Sequence, residues 1–289
     1  MDCRRSLSLP ISQPLDLAST LESGQAFRWR RDGEWHYGVI GDDLVALKQT
    51  LSGLKLRSSP STPERVTTAV KDYLRLDDDL EAIYDSIGTD PPMREAIAAY
   101  RGLRILRQDP WECLVSFICS ATSSVSHISA TMHAVARRYG RPLELDGHVD
   151  YTFPTPERLA GAGETGLRAL KLGFHAKYVA RAAEVVARGD LALETLRDLP
   201  FREAREALTS LPGVGDKVAD CVLLFSLDRL EAFPIDRHVR RAVEEWYLDG
   251  AKLNYKELSA WALERWGRYA GYAQQYLFHR QRLQGREVM

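Results

Sequence analysis

The chain has 289 residues, 27% of them charged and 45% hydrophobic, with 39 basic against 40 acidic side chains and a net charge of −1. That length suits one large or two modest domains with a full core. The balanced charge gives no bulk attraction for nucleic acid, so any such contact must come from a local patch. No apolar run approaches the ~20 residues of a membrane span, and the opening MDCRRSLSLP lacks the apolar stretch of a secretory signal. The four cysteines have no CxxC spacing, so they build neither a disulfide framework nor a zinc ribbon. A reducing, cytosol-like compartment is the default expectation. Nothing suggests a coiled coil or a large apolar face, so a monomer is expected.

In chain order, Gln25–Arg30, Trp35–Ile40 and Leu44–Gln49 are short runs rich in β-formers, punctuated by Asp32-Gly33 and Gly41-Asp42. They predict an antiparallel meander, with Leu54–Leu56 as a further short strand. From about residue 62 onward helices dominate. Thr62-Pro63, Asp109-Pro110 and Thr155-Pro156 each place a capping side chain before a proline at the first helical position. Gly140, Gly173 and Gly189 read as helix stops. The expected architecture is α+β: an antiparallel sheet domain with helices over residues 1–98, then a mainly helical domain over 99–289.

The most informative stretch is LTSLPGVGDKVADCVLLFSLDRLEAFPID, Leu208–Asp236. Arg202–Ser210 reads as an amphipathic helix, Leu211-Pro212-Gly213-Val214-Gly215 as a tight break, and Asp216 to Ser226 as a second helix. This helix-hairpin-helix at 202–226 can offer backbone N–H groups to a phosphate, because glycine lets the backbone approach closely. Such a contact holds a DNA backbone without reading bases. An ordinary tight turn between packed helices fits the five residues as well. Lys217, in the first turn of the second helix, is either one more phosphate contact or a nucleophile. The positive end of a helix disfavours an ammonium, and a neutral amine can attack an electrophilic carbon to form a Schiff base. Asp236 precedes the helical run His238–Trp246, an N-cap position. A carboxylate there can also stabilise a developing oxocarbenium ion, and the two roles are compatible.

Hairpin, lysine and following Pro-x-Asp resemble the helix-hairpin-helix DNA glycosylase superfamily. The chain is most similar to the eukaryotic-type 8-oxoguanine DNA glycosylases, in a bacterial version. The matching segments span nearly the whole chain: Ser23-Gly24-Gln25-Ala26-Phe27-Arg28-Trp29, Leu106–Leu114, Ser116-Phe117-Ile118-Cys119-Ser120, Leu172-Gly173-Phe174, Leu211–Cys221, Pro234-Ile235-Asp236 and Gly271-Tyr272-Ala273-Gln274. The resemblance implies base excision repair on double-stranded DNA containing oxidised guanine, with base flipping and no metal or organic cofactor. Lys217 would attack C1′ and then permit β-elimination, and Asp236 would support the charged transition state. The Gly24 carbonyl would accept a hydrogen bond from N7–H, which oxidised guanine has and guanine lacks. Phe278 and Cys221 would sandwich the base, Gln274 would read its Watson–Crick edge, and His238 would contact a nearby phosphate. Gly213, Val214 and Gly215 would hold the backbone.

Read without the family, Gly24 is also a strand bulge, Phe278 and Cys221 are core packing, Gln274 is a solvated helix residue and His238 an exposed one. The runs Arg237, Arg240, Arg241 and Arg101, Arg104, Arg107 read either as DNA-facing charge or as solvated helix faces. The chain departs from the family's pattern where relatives carry residues that fill the gap left by the flipped base. Thr122-Ser123-Ser124 replaces an Asn-rich segment, and His175 and His127 replace two arginines that grip the orphaned cytosine. Short hydroxyls cannot make the same bidentate contacts, so weak reading of the opposite base is expected. Phe174 keeps the aromatic wedge. Two other readings remain: an alkyladenine-type monofunctional glycosylase, and a non-catalytic helix-hairpin-helix DNA-binding protein. The iron–sulfur branch does not fit, since the last cysteine is Cys221.

Overall fold

The computed structural model describes residues 6–121 and 123–287, so Thr122 lies outside the described residues. The first segment holds β1 (Leu7–Pro10), α1 (Leu17–Glu22), β2 (Arg30–Asp32), β3 (Trp35–Ile40), β4 (Asp43–Thr50) and β5 (Gly53–Ser59). These strands form one antiparallel sheet in the order β1-β5-β4-β3-β2. The pairs Asp32↔Trp35 and Ile40↔Asp43 close two-residue turns that begin at Gly33 and Gly41, both with positive φ.

The strand expected over Gln25–Arg30 is displaced: pairing begins only at Arg30. The reason is local. Gly24 has φ +86, and the Gln25 amide is drawn inward, donating to the carbonyls of Thr20 and Arg104 and accepting from Leu106 N–H. Gln25 therefore stitches the chain between sheet and helices instead of extending an edge.

The sheet is buried on both faces. Val45, Leu47, Leu54 and Leu56 pack with Leu17, Leu21, Val66 and Val70. The alternate residues Leu44 and Ala46 pack with Tyr37 and Leu145, as the two-residue period of a strand requires. Leu145 belongs to a hairpin that the helical reading of this region missed, β6 (Pro142–Leu145) and β7 (His148–Tyr151). Its turn, Asp146-Gly147, has positive φ at both residues, the geometry Asp-Gly favours in a two-residue hairpin.

The helices are α2 (Pro63–Tyr73), α3 (Leu80–Ile87), α4 (Pro91–Ala99), α5 (Pro110–Ile118), α6 (Val125–Tyr139), α7 (Pro156–Arg168), α8 (His175–Ala187), α9 (Phe201–Thr209), α10 (Asp216–Ser226), α11 (Arg237–Tyr247), α12 (Tyr255–Trp266) and α13 (Ala270–Glu287). Thr62, Asp109 and Thr155 all stand at N-caps before proline, but only Asp109 caps with its side chain, accepting from Glu112 N–H. Gly140 ends α6 and Gly189 follows α8, while Gly173 lies in the turn that leads into α8. Leu80, Ile83, Ile87, Met93 and Ile97 belong to the helical core. Phe27 of the first segment also belongs to that core, and Leu106 packs with the sheet, so the two cores interleave along the chain. Among the described residues no helix is long and apolar enough to cross a membrane.

The run Arg101, Arg104, Arg107 is not a solvated helix face. It lies in an irregular segment before α5. Arg104 is fully buried and donates to the carbonyls of Pro14, Arg75 and Asp78. Arg101 pairs with Glu81, and Arg107 with Asp72, Asp77 and Asp228. These charges tie the sheet unit to the helices.

Candidate active site

Between α9 and α10 the chain turns through Gly213 at φ +84, where a Cβ would lie 2.4 Å from the Tyr178 ring. Conformation and space both demand glycine there. Val214 is buried, so only its backbone can meet a ligand. Gly215 is the N-cap of α10, with no side-chain cap and open space where a Cβ would stand. The first amides of α10 are therefore unblocked, the arrangement that binds a phosphate.

Lys217 leaves the first turn of α10 and donates through Nζ to Ser120 Oγ at 2.9 Å. Ser120 in turn donates to the Phe117 carbonyl at 2.7 Å, so its lone pairs are free to accept. The amine also lies 5.1 Å from the centre of the Phe117 ring. One turn along α10, Cys221 is buried, and burial pushes its thiol up to about 12 despite the nearby Lys217 charge. The thiol is neutral at physiological pH, a soft apolar wall and not a thiolate.

Asp236 is the N-cap of α11, accepting through Oδ1 from the N–H groups of His238 and Val239, both at 2.9 Å. Such a cap contributes about 1 kcal/mol. Oδ2 takes no hydrogen bond among the described residues and is left to face a developing charge. The charges of Asp236 and Lys217 both reach the Cys221 thiol. His238 has its basicity lowered by burial, against the pull of Asp236. It accepts from Arg237 Nε at 3.3 Å and packs edge-on to the Phe278 ring at 5.7 Å.

Phe278 leads to the opposite wall. A Cβ on Gly24 would lie 3.5 Å from the Phe278 ring, 3.5 Å from Val125 and 3.1 Å from Arg282 Nη1. Gly24, Phe278, His238, Asp236, Cys221, Lys217 and Ser120 thus form one run of neighbours, drawn from α1's exit, α5's exit, α10, α11 and α13. Gln274 on α13 is 4% exposed, not solvated. Its Nε2 donates to the Pro234 carbonyl at 3.1 Å, and its Oε1 is buried without a partner among the described residues. An orphaned acceptor of this kind costs about 1–3 kcal/mol unless a ligand supplies a donor.

Comparison with known proteins agrees over most of the chain. Residues 7–114 match the family described as 8-oxoguanine DNA glycosylase, N-terminal domain. Residues 115–268 match the HhH-GPD superfamily of base excision DNA repair proteins. The chain belongs to the 8-oxoguanine DNA glycosylase family. It is 34% identical to the N-glycosylase/DNA lyase OGG1 of Arabidopsis thaliana, over 91% of this chain and 76% of that protein. It is 28% identical to a probable N-glycosylase/DNA lyase of Methanothermobacter thermautotrophicus, over 96% and 97% of the two chains. Its fold matches the 8-oxoguanine glycosylase/lyase of Clostridium acetobutylicum, solved with double-stranded DNA containing cytosine opposite 8-oxoG. That match has a TM-score of 0.90 and 30% identity, over 94% of this chain and 93% of that one.

Within this family fold, the residues expected at the complementary strand lie along one edge. Phe174 is 49% exposed and packs against the His175 ring at 4.0 Å. His175 itself is buried, and burial lowers its basicity, partly offset by the nearby backbone of Ala121 and Ile118. His127 is exposed in the first turn of α6, where Ser124 caps the helix, and Ser123 is half-buried beside them. Val125 links this edge to Gly24.

The sequence reading passed over Ser120, Phe117 and Arg282. Ser120 and Phe117 stand in a quoted motif, but nothing in their spacing tells that they cradle the lysine. Arg282 donates to the Glu22 carbonyl at 2.7 Å and lies 5.7 Å from the centre of the Phe278 ring, joining two walls that are about 260 residues apart in the chain. Among the described residues no group of three or more His, Cys, Asp or Glu side chains is placed to hold a metal ion.

Proposed function

We propose that this chain is a bifunctional N-glycosylase/lyase of base excision repair that removes 8-oxoguanine from duplex DNA. The observation that carries the reading is geometric: Lys217 is held on Ser120, Asp236 caps α11 at His238, the His238 ring packs on Phe278, and Phe278 closes on Gly24. The unblocked amides at 213–215 hold the backbone, and the damaged nucleotide turns out of the stack. Its N7–H donates to the Gly24 carbonyl, whereas guanine would set a lone pair against that oxygen. The N1–H and N2–H donors of its Watson–Crick edge satisfy the buried Gln274 Oε1.

As the C1′–N9 bond breaks, the base leaves with the bonding pair and takes a proton from the Lys217 ammonium, which becomes a free amine. Positive charge grows on the sugar, and the Asp236 carboxylate stabilises it. The Lys217 amine forms the new bond to C1′ and gives up a proton to the ring oxygen as the sugar opens to a Schiff base. Loss of a 2′ proton then expels the 3′ oxygen and cuts the strand. The enzyme acts as a monomer, since both walls of the site come from one chain. By function it works in the cytoplasm, at the nucleoid of a bacterial cell, a setting in which the free buried thiols Cys113, Cys119 and Cys221 stay reduced.

The reading includes relaxed choice of the opposite base. His127 and His175 stand where relatives have arginine, and burial keeps His175 neutral near pH 7. Each good bidentate contact is worth about 1–3 kcal/mol of discrimination, and none is available from Ser123 or Ser124. Single-turnover release of 8-oxoguanine opposite each of the four bases should differ by less than about tenfold. A preference for cytosine of about a hundredfold or more contradicts this part of the reading.

A further inference from the structure

Lys217 and Asp236 sit on different elements, and their relative placement decides whether charge and nucleophile converge on one sugar. Three residues after Lys217 on the same helix is Asp220, a carboxylate with no solvent exposure. It is not part of the site described above. Its Oδ2 accepts from Tyr255 Oη at 2.6 Å and from Arg205 Nη2 at 3.1 Å. Its Oδ1 lies 3.0 Å from Arg205 Nε, an ion pair without hydrogen-bond alignment. Arg205 stacks its guanidinium 5.5 Å from the centre of the Tyr255 ring. Burial raises the Asp220 carboxyl to about 6, while Arg205 and Tyr255 hold it down. At neutral pH it is an ionised acceptor, with Oδ2 taking both hydrogen bonds and Oδ1 held only by the Arg205 charge.

Tyr255 is the first residue of α12, and its place is fixed by the capping box that Asn254 before it forms with Glu257 after it. Having donated its proton to Asp220, its oxygen accepts from the N–H of Ile235, a long contact of 3.4 Å. Ile235 immediately precedes Asp236. On the other side of this segment, Gln274 holds the Pro234 carbonyl. The segment leading to Asp236 is thus tethered twice: to α13 through Gln274, and to the lysine-bearing helix through Tyr255 and Asp220.

We infer that Tyr255, anchored by Asp220, is a positioning residue that fixes the Asp236 carboxylate relative to Lys217. The inference rests on the roles proposed above for those two residues. It separates the two chemical steps. Base release passes through charge on the sugar and needs Asp236 in register. Schiff-base formation on a ready-made abasic site, followed by β-elimination, needs Lys217 but breaks no glycosidic bond. Misplacement by a fraction of an ångström should therefore fall on the first step.

The test is Tyr255→Phe, which deletes the hydroxyl and keeps the ring against Arg205. Three quantities are measured on one preparation: affinity for an 8-oxoguanine duplex, single-turnover base release, and nicking of a pre-formed abasic duplex. The expected result is base release slowed about tenfold, with affinity and nicking within about twofold of wild type. Unchanged base release overturns the inference. So does an equal fall in all three, which marks a plain folding role. A wild-type enzyme that neither releases the base nor nicks the abasic duplex defeats the functional reading itself, whereas an active wild type with an unselective variant defeats only this inference.

Discussion

The lesion side of the site and its complementary-strand side are built differently. On the lesion side nearly every polar group has a partner before DNA arrives. Ser120 receives Lys217, the first amides of α11 hold Asp236, and Arg282 pins the Gly24 loop. Among the described residues the buried Gln274 Oε1 has no partner, and Asp236 Oδ2 takes no hydrogen bond beside the two on Oδ1. The complementary side has an exposed Phe174, an exposed His127 and short hydroxyls at 123–124. Preorganisation is concentrated where charge develops, which is where fixed dipoles and carboxylates contribute most to rate. The other side supplies shape and little direct reading.

The difference can be sharpened by substitutions on each side. The largest effect short of losing the nucleophile is expected for Asp236→Asn. Asparagine can keep both amide contacts at the N-cap, so stability should stay within about 1 kcal/mol of wild type. Base release should nevertheless fall about 100- to 1,000-fold, because the lost quantity is the charge. Thermal unfolding beside single-turnover kinetics checks both halves, and a large stability loss would show the cap to be the main role.

Gly24→Ala should come next. Alanine at φ +86 costs about 1–2 kcal/mol. The new Cβ, 3.1 Å from Arg282 Nη1, must also push that guanidinium or the loop aside. Base release should drop about tenfold to a hundredfold with weaker discrimination against guanine. Equal discrimination in the variant would move the N7–H reader elsewhere.

On the complementary side, Phe174→Ala should leave stability within about 0.5 kcal/mol, since half of the ring is already in solvent. It should weaken duplex affinity about tenfold or less, through the lost wedge. An effect as large as that at Gly24 would erase the contrast between the sides.

Much of this was legible in the sequence for identifiable reasons. Gly-x-Gly between two amphipathic stretches dictates a hairpin, and Asp236 before a helical run dictates a cap. Proline after Thr62, Asp109 and Thr155 marks three helix starts through its fixed φ. What escaped depends on distant contacts. Gln25 leaves its expected strand because its amide finds partners about 80 residues away. Arg104 reads as surface charge but is buried among carbonyls from three segments. Gln274 reads as solvated because helical periodicity alone does not tell which face of α13 is covered. The β6–β7 hairpin was legible, for Asp146-Gly147 is a direct signal, but its four-residue strands are lost among helices. The Lys217 cradle of Ser120 and Phe117 exists only once α5 and α10 pack together.

The most direct measurement of the central claim is borohydride trapping on a duplex with a single 8-oxoguanine, comparing wild type with Lys217→Gln. Wild type should give a covalent protein–DNA complex. The variant should bind the duplex with near-normal affinity and form none, its strand cutting down by more than about 1,000-fold. A complex that persists in Lys217→Gln, or wild-type base release with no trappable complex at all, would contradict the assignment of Lys217 as the nucleophile.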